Sequence, residues 1–424
     1  MKPEKEGETI LSQDRQLLVL GNGFDLQCGL KTRFEDFMQT RIARVNEIED
    51  MLSSSEDLPL ITCQRPDGYD VHGNNLSYWL WKKGLTVWDF VLFEDKQQRA
   101  WYDVEECIKD WVNYSSPSAS SMPHLRQICD AFEPPDKDHW PYLQDPKKAN
   151  QCVLAYATDL YSWDGQPGSL LDILLDQLNY FEAGFAAYIE NQVRLNTRYS
   201  SYADNLIMNL ANDEMPEKIL DEEYSKDRYS ASPESTNILD FNYTVPVKLG
   251  WKDCPTCLNV HGLASEQNII FGIDGTNINQ EQECYANIVK FTKTYRIMAL
   301  NSIPHPSLVR PYMSSDPDDA TSTIKFFGHS LAEADYSYFQ AIFDEVSLYE
   351  SNTRLIFYYN KKRPGGENAQ EEMFEKVNHL ITTYGQTLDN KDHGRNLLHK
   401  LLLEGRLIIK QVPLDSHEVY IGTN

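Results

Sequence analysis

Five short segments carry the side chains and glycines that could do chemistry in this chain. They are Gly21-Asn22-Gly23-Phe24-Asp25, Phe241-Asn242-Tyr243-Thr244, Val260-His261-Gly262, Phe271-Gly272-Ile273-Asp274 and Phe327-Gly328-His329-Ser330-Leu331. Each lies at the end of a short apolar run of the kind that predicts a β-strand. Ligands of open α/β sheets bind at the carboxyl ends of the strands. The five segments together therefore predict one small-molecule site.

The first segment contains two glycines, Gly21 and Gly23, directly after the apolar run 16–20. Glycine at such a turn lets backbone amides approach a pyrophosphate without a side chain in the way. The full dinucleotide fingerprint has a third glycine, and Leu26 stands in its place. The pattern fits both a nucleotide site and a purely structural turn. A nucleotide site predicts that Gly23→Ala abolishes binding and lowers thermal stability only slightly.

The other segments also have simple structural alternatives. A strand-end asparagine such as Asn242 often forms a turn, and a histidine before glycine such as His261 is often only hydrogen-bonded. Ser330 fits the N-cap of a following helix. Asp25 and Asp274 could bind ribose hydroxyl groups or cap turns. Chemically, a histidine suits a general base near neutral pH, and an asparagine can donate and accept hydrogen bonds at once.

A pair of cysteines raises the question of a metal site. Cys254 and Cys257 form a C-x-x-C pair, and His261 lies four residues further on. A structural zinc ion needs four ligands, but there is no second pair and Cys284 stands alone. A redox pair is expected at a strand-to-helix junction, whereas this pair precedes a predicted strand. We therefore predict a turn here and expect no metal.

Composition and charge restrict the class of protein. The 424 residues include 39 Lys and Arg against 64 Asp and Glu, which gives a formal net charge of −25. Such a charge disfavours broad binding of nucleic acid or anionic membranes, although a local pocket could hold a small anion. The start of the chain lacks the apolar core of a signal peptide, and no apolar run approaches the roughly 18 residues that span a bilayer. With eight scattered cysteines, we expect a cytoplasmic protein.

Hydrophobic patterning predicts the elements that position these segments. Strands are predicted at residues 16–20, 237–241, 258–260, 268–271, 323–327, 354–359 and 407–409, and helices at 32–52, 169–193, 338–346 and 368–384. This alternation predicts an α/β fold with a mostly parallel, Rossmann-like sheet flanked by helices. Residues 1–52 and 236–424 are assigned to that domain, and residues 53–235 to a large, mostly helical insertion. Within the insertion, 115–150 is predicted to be a long loop and 198–235 a polar linker with weak helix.

The opening string Leu18–Phe37 resembles the start of the AbiH family of bacterial phage abortive-infection proteins. Further segments are similar to that family in the same order: Trp101-Tyr-Asp-Val-Glu105, Phe241-Asn-Tyr-Thr244, His261-Gly262 and Gly328-His-Ser-Leu331. The resemblance spans most of the chain. It implies a role in bacterial defence against phage.

The same order of segments is similar, more distantly, to the sirtuin-like fold of NAD glycohydrolases. That resemblance implies two catalytic residues: His261 as the base, and Asn242, which lies beside the nicotinamide ribose and would position a water or the carboxamide. It implies a dinucleotide-binding set of Gly21, Asn22, Gly23, Phe24, Asp25, Asn242, Gly272, Gly328, His329 and Ser330. Two departures matter. A single C-x-x-C pair before the histidine argues against deacylation of acyl-lysine, and Thr244 replaces the acidic residue of the asparagine motif.

The resemblance predicts an effector of abortive infection that hydrolyses NAD at the nicotinamide–ribose bond. NAD or a related nucleotide is the expected substrate. An enzyme that depletes a shared cofactor must be silent until triggered, so a homo-oligomer or a partner protein from the defence system is expected. No nucleic-acid or membrane partner is expected. The alternative is a non-catalytic nucleotide-binding sensor or interaction protein.

Overall fold

The computed structural model describes residues 15–53, 61–64, 70–73, 80–93, 101–113, 124–131, 148–214, 235–246, 256–275, 278–300, 307–312, 320–363 and 365–414. Its strands are β1 Arg15–Leu20, β2 Ile61–Gln64, β3 Asp70–Gly73, β4 Thr236–Asp240, β5 Thr256–Asn259, β6 Thr321–Phe327, β7 Arg354–Tyr359 and β8 Leu407–Gln411. Its α-helices are α1 Asn22–Gln27, α2 Phe34–Ser53, α3 Val87–Phe93, α4 Trp101–Val112, α5 His124–Ala131, α6 Lys148–Ala155, α7 Pro167–Leu195, α8 Tyr199–Asn212, α9 Tyr285–Ile288, α10 Lys293–Leu300, α11 Tyr336–Glu345, α12 Ala369–Thr387 and α13 Lys391–Leu403.

Six strands form one parallel sheet in the order β5-β4-β1-β6-β7-β8. β2 and β3 form a separate antiparallel pair. The continuous apolar run of β1 is fully buried from Leu17 to Leu20 because helices cover both faces of the sheet. Leu17 and Val19 pack with α11, α12 and α13, whereas Leu18 and Leu20 pack with α8. The predicted mostly parallel α/β fold flanked by helices is thus confirmed.

The chain divides into two compact units. The sheet unit comprises residues 1–30, 193–260 and 304–424, and the helical unit comprises residues 31–192 and 261–303. This division differs from the predicted one at 1–52, 53–235 and 236–424. The reason lies in α2, whose aromatic face packs against α7 within the helical unit: the rings of Phe37 and Phe185 are 5.0 Å apart. Periodicity shows that a helix has an apolar face but not which partner covers it.

One local prediction is wrong, and another is confirmed only in part. Residues 268–271 are not a strand: the Ile270 amide donates to the carbonyl of His261 at 2.9 Å, and the Phe271 amide to the Glu182 carboxylate at 2.6 Å. These amides therefore find partners outside any ladder. Residues 199–212, predicted as part of a polar linker with weak helix, form the regular helix α8, which packs an apolar face on the sheet. The charged residues that made this region look like a linker, 215–234, lie outside the described residues.

Two further predictions are corrected in part. The long loop predicted at 115–150 contains α5 and the start of α6, and its residues 115–123 and 132–147 lie outside the described part of the chain. The turn predicted at Gly21–Asp25 is a tight turn at Gly21 that leads directly into α1, whose first residue is Asn22.

One buried lysine holds α8 on the sheet. Lys325 of β6 is 2% exposed, and its ammonium group donates to the carbonyls of Leu210, Ala211 and Asp213 at 2.8, 3.0 and 2.6 Å. These are among the last carbonyls of α8, which have no partner within the helix. A cation at this end also complements the helix dipole.

We expect Lys325→Met to lower the free energy of unfolding by at least about 2 kcal/mol, because it removes the lysine donor from the carbonyls of Leu210 and Asp213, whereas Ala211 keeps a hydrogen bond from Gln16. Lys391→Met is the matched control, since Lys391 also donates to a carbonyl near a helix end, that of Gln386, but is exposed. The control should change stability by less than about 0.5 kcal/mol. Urea unfolding of both variants measures the difference, and equal losses would contradict a special role for Lys325.

Candidate functional site

The sheet has a point at which its connections change direction. From β1 the chain continues through β4 and β5 on one side, and β6, β7 and β8 follow on the other. When the six strands of the sheet are numbered along the chain, their order across the sheet is 3-2-1-4-5-6. This is the strand order of dinucleotide-binding folds, whose ligand binds at the switch point, where the connections change direction. β1 and β6 flank it. Two predicted segments, Gly21–Asp25 and Gly328–Ser330, follow these two strands directly.

The backbones of the two turns contact each other. The Gly21 amide donates to the Phe327 carbonyl at 3.0 Å, and the Gly23 amide to the Gly328 carbonyl at 2.9 Å. The Phe24 amide in turn donates to the Gly21 carbonyl at 2.8 Å. The amides of Gly21 and Gly23, predicted to contact a pyrophosphate, are therefore engaged by the neighbouring turn.

Steric contact explains why these positions are glycines. A Cβ at Gly21 would lie 2.5 Å from the Cα of His329, and one at Gly23 would lie 2.6 Å from the Cα of Gly328. Gly328 has φ +77°, and its Cβ would lie 2.4 Å from the Phe24 nitrogen. Since the added Cβ atoms would clash with backbone atoms, no change of a side-chain rotamer can relieve these clashes. Gly23→Ala should thus cost substantial stability, contrary to the small thermal effect expected from the sequence.

Asn242 and Asp240 form a buried polar cluster beside these turns, at the end of β4. The Asn242 side-chain amide donates to the Gly21 carbonyl at 3.2 Å and to Asp240 Oδ1 at 2.8 Å. The backbone amide of Asn242 also donates to Asp240 Oδ1, at 2.9 Å. Asn259 at the end of β5 donates to Asp240 Oδ2 at 3.2 Å and to the carbonyls of Asn242 and Thr244, both at 2.8 Å. Asn242 therefore links β4 to the glycine turn.

Asp25 lies in the same region and is 1% exposed. Its carboxylate accepts hydrogen bonds from the Tyr199 hydroxyl at 2.8 Å and from the Thr244 hydroxyl at 2.9 and 3.0 Å. Tyr199 is the first residue of α8. Thr244, which replaces the acidic residue expected from the sirtuin-like resemblance, thus supports Asp25 instead.

Burial shifts the pKa values of these groups. Burial raises the pKa of Asp25 to about 6, although the hydrogen bonds from Tyr199 and Thr244 lower it. Burial also raises the pKa of Asp240 far above its ordinary value, and the charge of Asp25 adds to this increase. The pKa of the Tyr199 hydroxyl is raised for the same reason, so it remains a donor. Burial thus favours the protonated form of both carboxyl groups more than water does.

His329 is held in one orientation within the second turn. Its Nδ1 accepts the Leu331 amide at 2.9 Å, its Nε2 lies 3.4 Å from the Asp335 carboxylate, and its ring packs edge-on against Phe241 at 4.4 Å. Ser330 is exposed, and its hydroxyl accepts the Ala332 amide at 3.4 Å. Ser330 does not cap a helix, because α11 begins only at Tyr336.

His261 and Gly272 belong to the helical unit. His261 is 4% exposed, and it immediately follows Val260, the last residue of the sheet unit's middle segment. A Cβ at Gly272 would lie 2.9 Å from the backbone nitrogen of Lys293, so close packing against α10 requires this glycine. Asp274 is partly buried in the same unit. The predicted site residues are thus distributed over both units.

Sequence reasoning missed three members of the buried cluster. Asp240 is a carboxylate at the end of an otherwise apolar strand, and such a position could have been noticed as a buried charge. Asn259 precedes the Val260-His261 segment and carries no distinctive pattern. Tyr199 could not be found, because its part in the cluster depends entirely on where α8 packs.

The structure also bears on metal binding and membrane insertion. Among the described residues, no three His, Cys, Asp or Glu side chains are grouped as metal ligands. Cys254 lies outside the described residues, and Cys257 in β5 has its Sγ 3.9 Å from Asn259 Oδ1. None of the described helices has the length and apolar character needed to span a bilayer.

The fold and the site define a doubly wound α/β protein with buried polar groups and two glycine turns at the switch point of its sheet. A family model described as bacteriophage abortive infection AbiH matches residues 17–359. The chain therefore belongs to the AbiH family, as its opening string predicted, and this membership implies a role in phage abortive-infection defence. Comparisons with curated proteins and with solved structures gave no match.

We expect Gly328→Ala to be more destabilising than Gly405→Ala. Both glycines have a positive φ, +77° and +66°, so alanine is strained at either position. No described atom lies within 4 Å of a Cβ at Gly405, whereas Gly328 meets the backbone of α1. Gly405→Ala should cost about 1 kcal/mol, and Gly328→Ala about 1–3 kcal/mol more. Chemical unfolding measures both; equal losses would contradict the close contact between the turns.

The raised pKa of Asp25 predicts a pH dependence of stability. The folded state holds this proton more tightly than the unfolded state, so the group causes stability to fall as pH rises from about 4 to about 6. Asp25→Asn removes this dependence. Between about pH 4 and pH 6 the free energy of unfolding of the parent should therefore fall by up to about 3 kcal/mol more than that of the variant. Asp389→Asn, at an exposed aspartate, is the control. Urea unfolding between about pH 4 and pH 7 tests whether the stability of the two variants differs in its slope with pH.

Proposed function

We propose that this AbiH protein is an NAD glycohydrolase that acts in abortive infection. The observation that supports this most directly is the strand order of dinucleotide-binding folds, with a glycine turn on each side of the switch point. The buried cluster of Asp25, Asp240 and Asn242 next to these turns adds polar groups of the kind that ligand sites use. The order of short motifs that resembles sirtuin-like enzymes supplies the choice of NAD.

The proposed reaction converts NAD and water into ADP-ribose, nicotinamide and a proton. The bond between the ribose C1′ and the pyridinium nitrogen breaks, and nicotinamide leaves as a neutral molecule with the bonding electron pair, so no acid is needed. Water adds to the oxocarbenium-like carbon, and a base takes its proton. In this proposal His261 is that base, since an imidazole titrates near neutral pH.

The remaining residues would bind and orient the dinucleotide. Asn22 and Ser330 are the exposed members of the two turns, and we assign them to direct contact with the ligand. Gly21, Gly23 and Gly328 shape the turns, as their backbone packing requires. Phe24 is fully buried and His329 nearly so, and these two side chains would support the turns from behind.

One observation favours the alternative of a non-catalytic nucleotide sensor. The amides of Gly21 and Gly23 are engaged by the β6 turn, and the side-chain amide of Asn242 donates to Gly21 and Asp240. These groups are occupied within the protein, as in a structural turn. A sensor would bind NAD or a related nucleotide without cleaving it and pass the signal to a partner protein. A glycohydrolase, by contrast, needs a trigger or an assembly step that releases its activity during infection.

We expect His261→Gln to lower the rate of nicotinamide release from NAD by about 10²–10⁴, the usual effect of losing a positioned base. The matched control is His399→Gln, because His399 is exposed on α13. Both proteins and the parent are assayed with NAD, alone and after isolation from phage-infected cells, and folding is checked by circular dichroism.

The outcomes separate the two functions. A folded His261→Gln variant that releases nicotinamide at the parent rate would rule out His261 as the base. If the parent binds NAD by calorimetry but never releases nicotinamide, even from infected cells, the sensor is correct. If the parent neither binds nor cleaves NAD, both nucleotide proposals fail.

A further inference from the structure

The helical unit contains a cavity of about 370 Å³. This volume lies within the roughly 300–1,000 Å³ range of small-molecule sites. The residues that decide its chemistry are Trp81, Tyr156, Tyr161, Tyr180, Asp176 and Gln177. All of them lie in the helical unit, and none belongs to the proposed nucleotide site.

Aromatic rings form much of the cavity wall. Trp81, Tyr161 and Tyr180 are 37%, 36% and 56% exposed, although large aromatic side chains gain most from burial. Tyr156 is buried, and its hydroxyl donates to the Leu85 carbonyl at 2.5 Å. These three partly exposed rings line one cavity, and aromatic rings attract cations through their π electrons.

Gln177 supplies an unsatisfied hydrogen-bond acceptor at this cavity. The residue is 5% exposed, and its side-chain amide donates to the Tyr161 hydroxyl at 3.0 Å. Its side-chain oxygen Oε1 is buried and has no hydrogen-bond partner among the described residues. A buried acceptor without a donor typically costs about 1–3 kcal/mol. If the buried side-chain amide turns toward the cavity, a ligand that donates an N–H to Oε1 removes this cost.

The charged residues of the cavity determine whether a cation or an anion can bind there. Asp176 accepts a hydrogen bond from the Tyr161 hydroxyl and is the charged member of the described lining. The described lining contains no Lys, Arg or His. A phosphate or carboxylate would therefore meet a like charge with no cation to offset it, whereas an ammonium group would meet a carboxylate, π faces and a free carbonyl oxygen.

We propose that this cavity is a second ligand site, specific for a protonated organic amine. The ammonium group donates to Gln177 Oε1 and lies among the faces of Trp81, Tyr161 and Tyr180, with Asp176 as its counter-charge. The apolar part of the amine fills the remaining space. Such a ligand differs in charge from NAD, so the site would respond to a different molecule from the one proposed at the sheet.

Three probes of nearly equal size test the proposal on the purified full-length protein. Benzylammonium carries the positive charge and the N–H donors, benzyl alcohol is neutral, and benzoate is an anion. We expect benzylammonium to bind about tenfold more tightly than benzyl alcohol, and benzoate to show no binding, by calorimetry and ligand-observed NMR. Equal affinity for the alcohol, tighter binding of benzoate, or no binding of benzylammonium at millimolar concentration would overturn the proposal.

Variants locate the binding to this cavity. Trp81→Ala removes a partly exposed ring and Asp176→Asn removes the counter-charge. Each variant should lower the affinity for benzylammonium about fivefold to tenfold. Tyr295→Ala is the matched control, because Tyr295 is 44% exposed in the same unit but does not line the cavity. Unchanged affinity in either folded variant, or an equal loss in the control, would show that the amine binds elsewhere. Saturation with NAD should leave benzylammonium binding unchanged, so this test is independent of the nucleotide proposal.

Discussion

The structure depends on one backbone contact, between the turn after β1 and the turn after β6. β1 and β6 are adjacent parallel strands, so the two turns that leave them compete for the same space. Only glycines let them approach as closely as the Gly23–Gly328 hydrogen bond of 2.9 Å requires. The glycines thus serve the fold first. Any ligand at the switch point must use the atoms that this contact leaves accessible, such as those of the exposed Asn22 and Ser330.

The contact also explains the buried polar cluster beside it. Asn242 reaches the Gly21 carbonyl from β4, while Asp240 holds Asn242 in place. On the other side, Tyr199 brings a hydroxyl group to Asp25. Tyr199 depends on the position of α8, whose last carbonyls are held by a lysine of β6. Burying two carboxyl groups is unfavourable, and the hydrogen bonds around them limit this cost.

The two units offer different chemistry. In the sheet unit, glycine turns and a Rossmann strand order suit a dinucleotide, and membership in the AbiH family connects the protein to abortive infection. In the helical unit, open aromatic rings, Asp176 and the unsatisfied oxygen of Gln177 suit an organic cation. Under the proposed function, the protein needs both an active part and a means of control. A second site with opposite charge preference is one physical way to separate the two.

The sequence by itself determined the elements with strong local patterns. The apolar runs of β1, β4, β6, β7 and β8 and the periodic faces of α7 and α12 were predictable, because side-chain periodicity reflects local geometry. The opening motif also identified the family. Tertiary structure alone decided the partner of each apolar face. It therefore decided the division into units, the packing of residues 199–212 on the sheet, and the membership of Tyr199 in the site. It also decided that the glycine amides bond to a neighbouring turn, because a contact between Gly23 and Gly328, about 300 residues apart, leaves no trace in local sequence.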